Sequence, residues 1–309
     1  MQDCHVRTPQ FRSMKAARIP ALRVTESTFV LWQRLAQYPP GDVDGALRCL
    51  QEWIVRAIDA DNVIWIGAVR ALRGAPARKD PFFGWRLRAR MPLREESEHY
   101  RRILARYYAT AHYGKLTPGY YLRSHAEQMD HVGMTGRASL AGAGSFRVHR
   151  LRDADFVDFD AFKQTTHYEL YYRQPGIVDR MTIGFPVSAG AESFVLIDRM
   201  RRAKGARRRP FSSRDAAIAG GAVRGLPSLH RQLVLSHGLL AGDKLLSPVE
   251  RQILKALIAG DTEKRIAAAL GQKPATLHKY VTALYARLGV GSRAALTAHW
   301  LAPGGAPPD

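Results

Sequence analysis

The chain has 309 residues, 46% hydrophobic and 24% charged, a globular composition with room for two domains or one large one. It holds no apolar run of the ~18 residues a membrane helix needs. Its first twenty residues have no apolar core to make a secretory leader. Two cysteines, Cys4 and Cys49, exclude a disulfide framework or a multi-cysteine zinc site. The expected setting is a reducing cytoplasm. Lys and Arg number 47 against 27 Asp and Glu, a net charge of +20. That excess points to a polyanionic partner, nucleic acid before a membrane surface.

Residues 1–20 are basic and punctuated by Pro9 and Pro20, and read as a disordered tail. A helix is expected over 21–37, stopped by Tyr38-Pro39-Pro40-Gly41-Asp42. A second, 43–58, carries Val43, Leu47, Leu50, Ile54 and Ile58 at spacings of three and four, with Cys49 in its core pattern. Residues 62–69 read as a buried strand, and 85–91 alternate apolar and basic residues as a half-exposed one. An amphipathic helix follows at 95–109, whereas 112–145, rich in Gly, His and Tyr, receives no assignment. A helix at 161–172 and strands at 178–187 and 193–200 come next. Ser212-Ser213 then caps a long helix, 214–236, that Pro227 should interrupt or kink. The fold class over 21–236 is therefore α+β, a mixed antiparallel sheet with flanking helices. Residues 237–244 read as a linker, 245–301 as an all-α unit of four helices, and 302–309 as a disordered tail.

The all-α unit carries the strongest local signals. Ser247-Pro248-Val249-Glu250 is a capping box with proline at the first helical position. Val249, Ile253, Ala256 and Leu257 line one face of that helix, which Gly260 ends. Asp261-Thr262-Glu263 opens a short second helix with Ile266, Ala267 and Leu270 inside, and Gly271 permits a tight turn. Pro274 starts a third helix, 274–288, ended by Gly289; Ser292 caps a fourth, 293–301. Two short helices about a glycine turn form a helix-turn-helix, whose second member enters the major groove of DNA. In helix 274–288, Leu277, Val281, Leu284 and Leu288 face the core. Ala275, His278, Lys279, Thr282 and Ala286 face out, and His278, Lys279 and Thr282 supply groups that read base edges. Lys264, Arg265, Lys273 and Arg287 surround this helix and can neutralise phosphates. Across 244–301, nine Lys and Arg stand against three Asp and Glu. A small bundle with a solvated basic face would show the same capping and periodicity.

Leu246-Ser247-Pro248-Val249-Glu250-Arg251-Gln252-Ile253-Leu254, Gly260, Lys264, Ile266-Ala267, Leu270-Gly271, Thr276-Leu277, Arg287-Leu288-Gly289-Val290 and Ser292-Arg293-Ala294 strongly resemble the LuxR-type (GerE) DNA-binding domain. The resemblance covers about 57 residues. It implies that His278, Lys279 and Thr282 approach bases, that Lys264, Thr276, Tyr280 and Arg287 approach the DNA backbone, and that Ala294, Ala295 and Ala298 pair two subunits. It departs from the family at Lys273, where a small polar cap is usual, at His278, usually basic, and at Tyr280, frequently histidine. The implied function is a dimeric, sequence-specific transcription regulator bound to double-stranded DNA, with RNA polymerase a candidate partner.

Such domains are commonly attached to a receiver, an acyl-homoserine-lactone sensor or a GAF/PAS-like sensor. The acidic pair and lysine of a receiver are missing from 21–140. Asp80-Pro81 and Trp85 echo a lactone sensor, without its Trp-x3-Tyr stretch. Segment 168–236 resembles the closing part of a GAF-like domain, which implies a pocket for a small effector. Trp65, Trp85, Tyr107 and Tyr120 are the candidates to line it, although aromatics in this density equally serve as ordinary core. A lactone-responsive quorum-sensing regulator, an enzyme tethered to DNA and a protein-interaction module are the alternatives. No nucleophile elbow, P-loop or dinucleotide fingerprint supports catalysis, and no cofactor is expected. Asp153, Asp155, Asp158 and Asp160 lack the glycine and glutamate of a calcium loop, and His125 and His131 have no cysteine partner, so no metal site is expected. The basic run Arg199–Arg209 reads as a solvated loop or as a source of phosphate contacts.

Overall fold

The computed structural model describes residues 21–71, 84–104, 142–153, 159–202, 208–240 and 245–302. Two helices lead into the sheet: α1 (Glu26–Ala36) and α2 (Val43–Ala57), the latter capped by Asp42 accepting from the Gly45 amide at 3.0 Å. Strands β1 (Asn62–Arg70), β2 (Trp85–Pro92), β3 (Arg147–Arg150), β4 (Ile177–Ser188) and β5 (Ala191–Met200) form one sheet in the order β2-β1-β5-β4-β3, and every neighbouring pair is antiparallel. The expected α+β class is what the chain adopts. α3 (Ser213–Arg224) and α4 (Pro227–Ser236) follow, then α5 (Pro248–Ala259), α6 (Glu263–Ala269), α7 (Pro274–Leu288) and α8 (Arg293–Leu301).

The strand period of two divides the sheet into two faces. One face presents Val63, Trp65, Val69, Ile183, Phe185, Val195 and Ile197 to α2, α3 and α4, and this core runs on into the C-terminal helices. The other presents Ile64, Ile66, Ala68 and Phe194, joined by Trp85. Towards β3 and β4 this second face becomes polar. Arg147 pairs with Glu192 and Arg180 with Asp198, all four nearly shut off from solvent. His149 and Thr182, register partners between β3 and β4, are also buried there.

Several boundaries differ from expectation. Helix α1 begins at Glu26, not 21. The helix expected at 161–172 is broken. Thr165 donates its hydroxyl to the Phe162 carbonyl at 2.8 Å and accepts from the Tyr168 amide at 3.1 Å, so a new turn starts at Thr166 and passes into a π-turn at Glu169–Arg173. Of the helix expected at 95–109, residues 95–97 are not helical, 98–104 are, and 105–109 lie outside the described residues. The helix expected at 214–236 is interrupted at Pro227, as expected, and the break is complete, with Pro227 opening a second helix. Gly225 sits at the break, where a Cβ would collide with the Trp32 ring, and Trp32 Nε1 donates to the Ala222 carbonyl at 3.1 Å. Val249, expected inside, is 38% exposed on the first turn of α5.

Where the linker was expected, only 237–240 are described, and His237 and Leu239 are buried. The Leu246 amide donates to the His237 carbonyl at 2.9 Å, and Gly238, at φ +79°, lies against Leu246 with no room for a Cβ. In the basic run Arg201, Arg202 and Arg209 are exposed, as a solvated loop requires, and 203–207 lie outside the described residues, but Arg199 and Arg208 turn inward. Arg199 is buried and donates to the carbonyls of Ile58, Asp59 and Arg209, and Arg208 pairs with Asp59 and Asp61. Those two arginines staple the end of α2 to the end of β5. Among the described residues, no helix is long and apolar enough to cross a membrane.

Candidate nucleic-acid interface

The helices around the candidate interface are set by local chemistry. Ser247 accepts from the Glu250 amide at 3.3 Å while the Glu250 carboxylate accepts from the Ser247 amide at 2.7 Å, the reciprocal box expected from sequence. Thr262 caps α6 and Ser292 caps α8 through the amides of Arg265 and Ala295. Gly260 and Gly289 end α5 and α7 in the left-handed region, at φ +100° and +66°. Lys273 occupies the N-cap of α7 and makes no side-chain cap bond, as its chemistry dictates. Inside the unit, Ile253, Leu257, Ile266, Leu277, Val281, Leu284, Leu296 and Trp300 are all buried. Arg293 closes it by donating to the carbonyls of Asp261, at 2.8 Å, and Leu257, at the C-terminal end of α5 where a cation is favoured.

The outward face of α7 is open. His278, Lys279, Tyr280 and Thr282 are exposed, Thr276 is half-buried, and Lys264 and Lys273 are exposed beside them. None of Lys264, Lys273 and Lys279 pairs with a carboxylate among the described residues. Two residues of the stripe already have partners. His278 Nδ1 lies 3.1 Å from a carboxylate oxygen of Glu263, on the first turn of α6. The Thr282 hydroxyl donates to the His278 carbonyl at 2.9 Å. Arg287, expected near phosphate, is three-quarters buried and lies 3.5 Å from Glu250, so it braces α7 against α5. Ala294 and Ala298 are exposed on α8, and Ala295 is half-buried.

This unit docks on the sheet-bearing part of the chain. Asp44, on the first turn of α2, accepts from Arg251 at 3.1 Å and from Lys255. Arg251 Nε reaches the Ser236 carbonyl at 3.2 Å, and Arg231 reaches the His299 carbonyl at 3.1 Å. Gly41 lets α5 come close, since a Cβ there would stand 2.6 Å from the Lys255 carbonyl oxygen. Burial, with the Arg231 guanidinium beside it, lowers the His299 pKa. Arg251 and Lys255 are thereby committed to Asp44, while the stripe on α7 faces away from the docked surface.

Of the four pocket candidates, Tyr107 and Tyr120 lie outside the described residues. Trp65 and Trp85 belong to separate clusters on opposite faces of the sheet, so they do not line one cavity. Trp65 is fully buried and donates to Ser193 Oγ at 2.7 Å, which in turn meets His230 Nδ1 at 2.8 Å. Sequence reasoning missed the Glu263–His278 pair and the Asp44 clasp. A carboxylate one position after the cap of the first motif helix, where it can reach the second, was the signal for the former; nothing local announces the latter.

Residues 244–300 match the family described as "Bacterial regulatory proteins, luxR family" (GerE). No curated protein sequence matches the chain. Among solved structures, a crystal structure of Escherichia coli SdiA is similar at 13% identity, covering 88% of this chain and 94% of that one, with a TM-score of 0.35. SdiA in complex with octanoyl-rac-glycerol is similar at 11% identity, covering 90% and 96%, with a TM-score of 0.35. The VqsR LBD domain from Pseudomonas aeruginosa is similar at 17% identity, covering 57% and 80%, with a TM-score of 0.30. Superposition this loose transfers no function.

Proposed function

We propose, from the premise that residues 244–300 are a LuxR-family DNA-binding domain, that the chain is a dimeric, cytoplasmic, sequence-specific transcription regulator and not an enzyme. The observation that carries the reading is the open stripe of α7. His278, Lys279 and Thr282 project from a helix whose other side is fully packed, with unpaired lysines on either hand for phosphates. Ala294, Ala295 and Ala298 present a small-residue surface on α8 that suits a second copy of the chain. Two copies would then read half-sites about one helical turn (~10 bp) apart. RNA polymerase is the partner through which such a protein would act.

The remaining 200-odd residues supply regulation in this reading. A small effector would lie against the second face of the sheet, where Ile64, Ile66, Trp85 and Phe194 give way to Thr182 and the buried ion pairs. Thr182 Oγ1 is buried there without a hydrogen-bond partner among the described residues, the kind of group a bound molecule satisfies. Affinity sequencing of genomic DNA with purified full-length chain tests the main reading. Enrichment of a two-fold symmetric motif, lost at high salt, is expected; absence of any enriched sequence overturns it. A thermal-shift screen tests the effector, and a Thr182→Val variant that responds to a hit as the parent does would remove Thr182 from its site.

A further inference from the structure

We infer that Glu263 is a specificity-determining residue: by taking the proton-bearing Nδ1 of His278 it turns the other ring nitrogen into a hydrogen-bond acceptor, so that α7 selects adenine or cytosine over guanine and thymine at one position. The inference rests on the DNA-reading function proposed above and deepens it. His278 Nδ1 and Glu263 Oε2 are 3.1 Å apart, with the histidine side chain 70% exposed and the carboxylate 39%. An ionised carboxylate only accepts hydrogen bonds, so Nδ1 must carry the hydrogen. In the neutral ring Nε2 is then bare and accepts. In the major groove, adenine offers the N6 amine and cytosine the N4 amine as donors, whereas guanine offers only N7 and O6 acceptors and thymine O4. A bare Nε2 matches the first two and meets a lone pair on the others.

The neighbour on the same face sharpens the pattern. The Thr282 hydroxyl spends its hydrogen on the His278 carbonyl at 2.9 Å, so towards DNA it presents lone pairs and a methyl group. It too cannot donate to guanine. Lys279, which only donates, is the sole member of the stripe suited to guanine. A basic residue at position 278 would donate as Lys279 does; here the carboxylate of α6 makes the imidazole do the opposite.

The test is selection from a randomised duplex library by full-length chain at pH 8.5 and fixed salt. His278→Ala identifies the base position that His278 reads, as the one that loses its preference. At that position the parent chain is expected to favour adenine or cytosine by about five- to tenfold, the scale of one base contact. Glu263→Gln, whose amide both donates and accepts, is expected to erase most of that ratio. Glu263→Lys can only donate to Nδ1, which forces the hydrogen onto Nε2, and is expected to move the preference to guanine or thymine. The added lysine charge raises affinity for all sequences alike and leaves the ratio readable. A parent preference for guanine there, or base ratios unchanged in both Glu263 variants, overturns the inference while leaving the DNA-reading function intact. Failure of the parent to enrich any sequence overturns both.

Discussion

Lys279 and Arg287 are both cations on α7, yet their surroundings assign them different work. Lys279 is exposed with no carboxylate partner among the described residues, so Lys279→Ala is expected to weaken specific binding by about 1–3 kcal/mol in a titration with the selected site. Arg287 lies against Glu250, so its loss is expected to show first as a lower melting temperature. A buried pair on the sheet obeys sterner arithmetic. Arg147 donates to Glu192 at 3.1 Å through Nη1 and again through Nη2, both side chains almost entirely enclosed. Burial pushes the Glu192 carboxyl up against the lowering pull of Arg147. Removing one partner strands the other charge, and Glu192→Ala is expected to cost about 3–5 kcal/mol in denaturant unfolding. Arg147→Met with Glu192→Leu together is expected to cost much less, since no charge is left behind.

At the scale of elements, the recognition helix lacks the side-chain cap that α5, α6 and α8 all have. Lys273→Ser supplies an oxygen for the amides of the first turn, and a gain of about 1 kcal/mol in stability is expected by thermal unfolding. In the proposed function the same change also removes a phosphate-neutralising cation, and the salt dependence of binding is then expected to become shallower by about one ion. Most elements were legible from sequence because their signals are local: caps, glycine stops and the spacing of apolar residues act within a few positions. The helix expected at 161–172 was not legible in its true form. Thr165 fits a helical pattern as well as a cap, and its bonds to Phe162 and Tyr168 decide the matter. Two members of the basic run at 199–209 depart from expectation for a related reason. The run's composition says solvated, but Asp59 and Asp61, some 140 residues earlier, draw Arg199 and Arg208 inward.

For the whole molecule, the contact that matters most is the clasp between α2 and α5. Asp44 holds Arg251 and Lys255 with all three side chains about two-thirds buried or more. Asp44→Ala is expected to loosen docking by about 1–3 kcal/mol, the worth of hydrogen bonds to a charged group. Faster hydrogen exchange in α5 and α8, with the α7 stripe unchanged, would register it. Docking of this kind ties the orientation of the recognition helix to the sheet, which is how an effector at the sheet would be felt at DNA. Stability should also depend on acid. His149, His230 and His237 are buried, and burial foremost lowers each to about 4. The unfolded chain takes up these protons near the ordinary value of about 6.5 and the folded chain does not. Stability is therefore full above that value and lost as pH falls from about 6.5 to about 4, at about 1.4 kcal/mol per pH unit for each group. His230→Gln should flatten a plot of melting temperature against pH across that window, whatever its effect at neutral pH.

The sequence by itself determined the DNA-binding unit almost completely. Its four helices are short, three of them are capped by their own side chains while proline opens the fourth, and its core repeats at helical spacing, so most decisions are made within about twenty positions. The class of the sheet-bearing part was also readable, because strand alternation is equally local. Tertiary structure alone decided the strand order, the register of β1 against β2, which sets Trp65 and Trp85 on opposite faces, and the partners of the buried charges. It decided as well that Glu263 claims one nitrogen of His278, and that Asp44 claims two cations of the DNA-binding unit. Each of these joins side chains on different elements. Charge and hydrogen-bond chemistry specify which kinds of group can meet, and only the packed chain specifies which of them do.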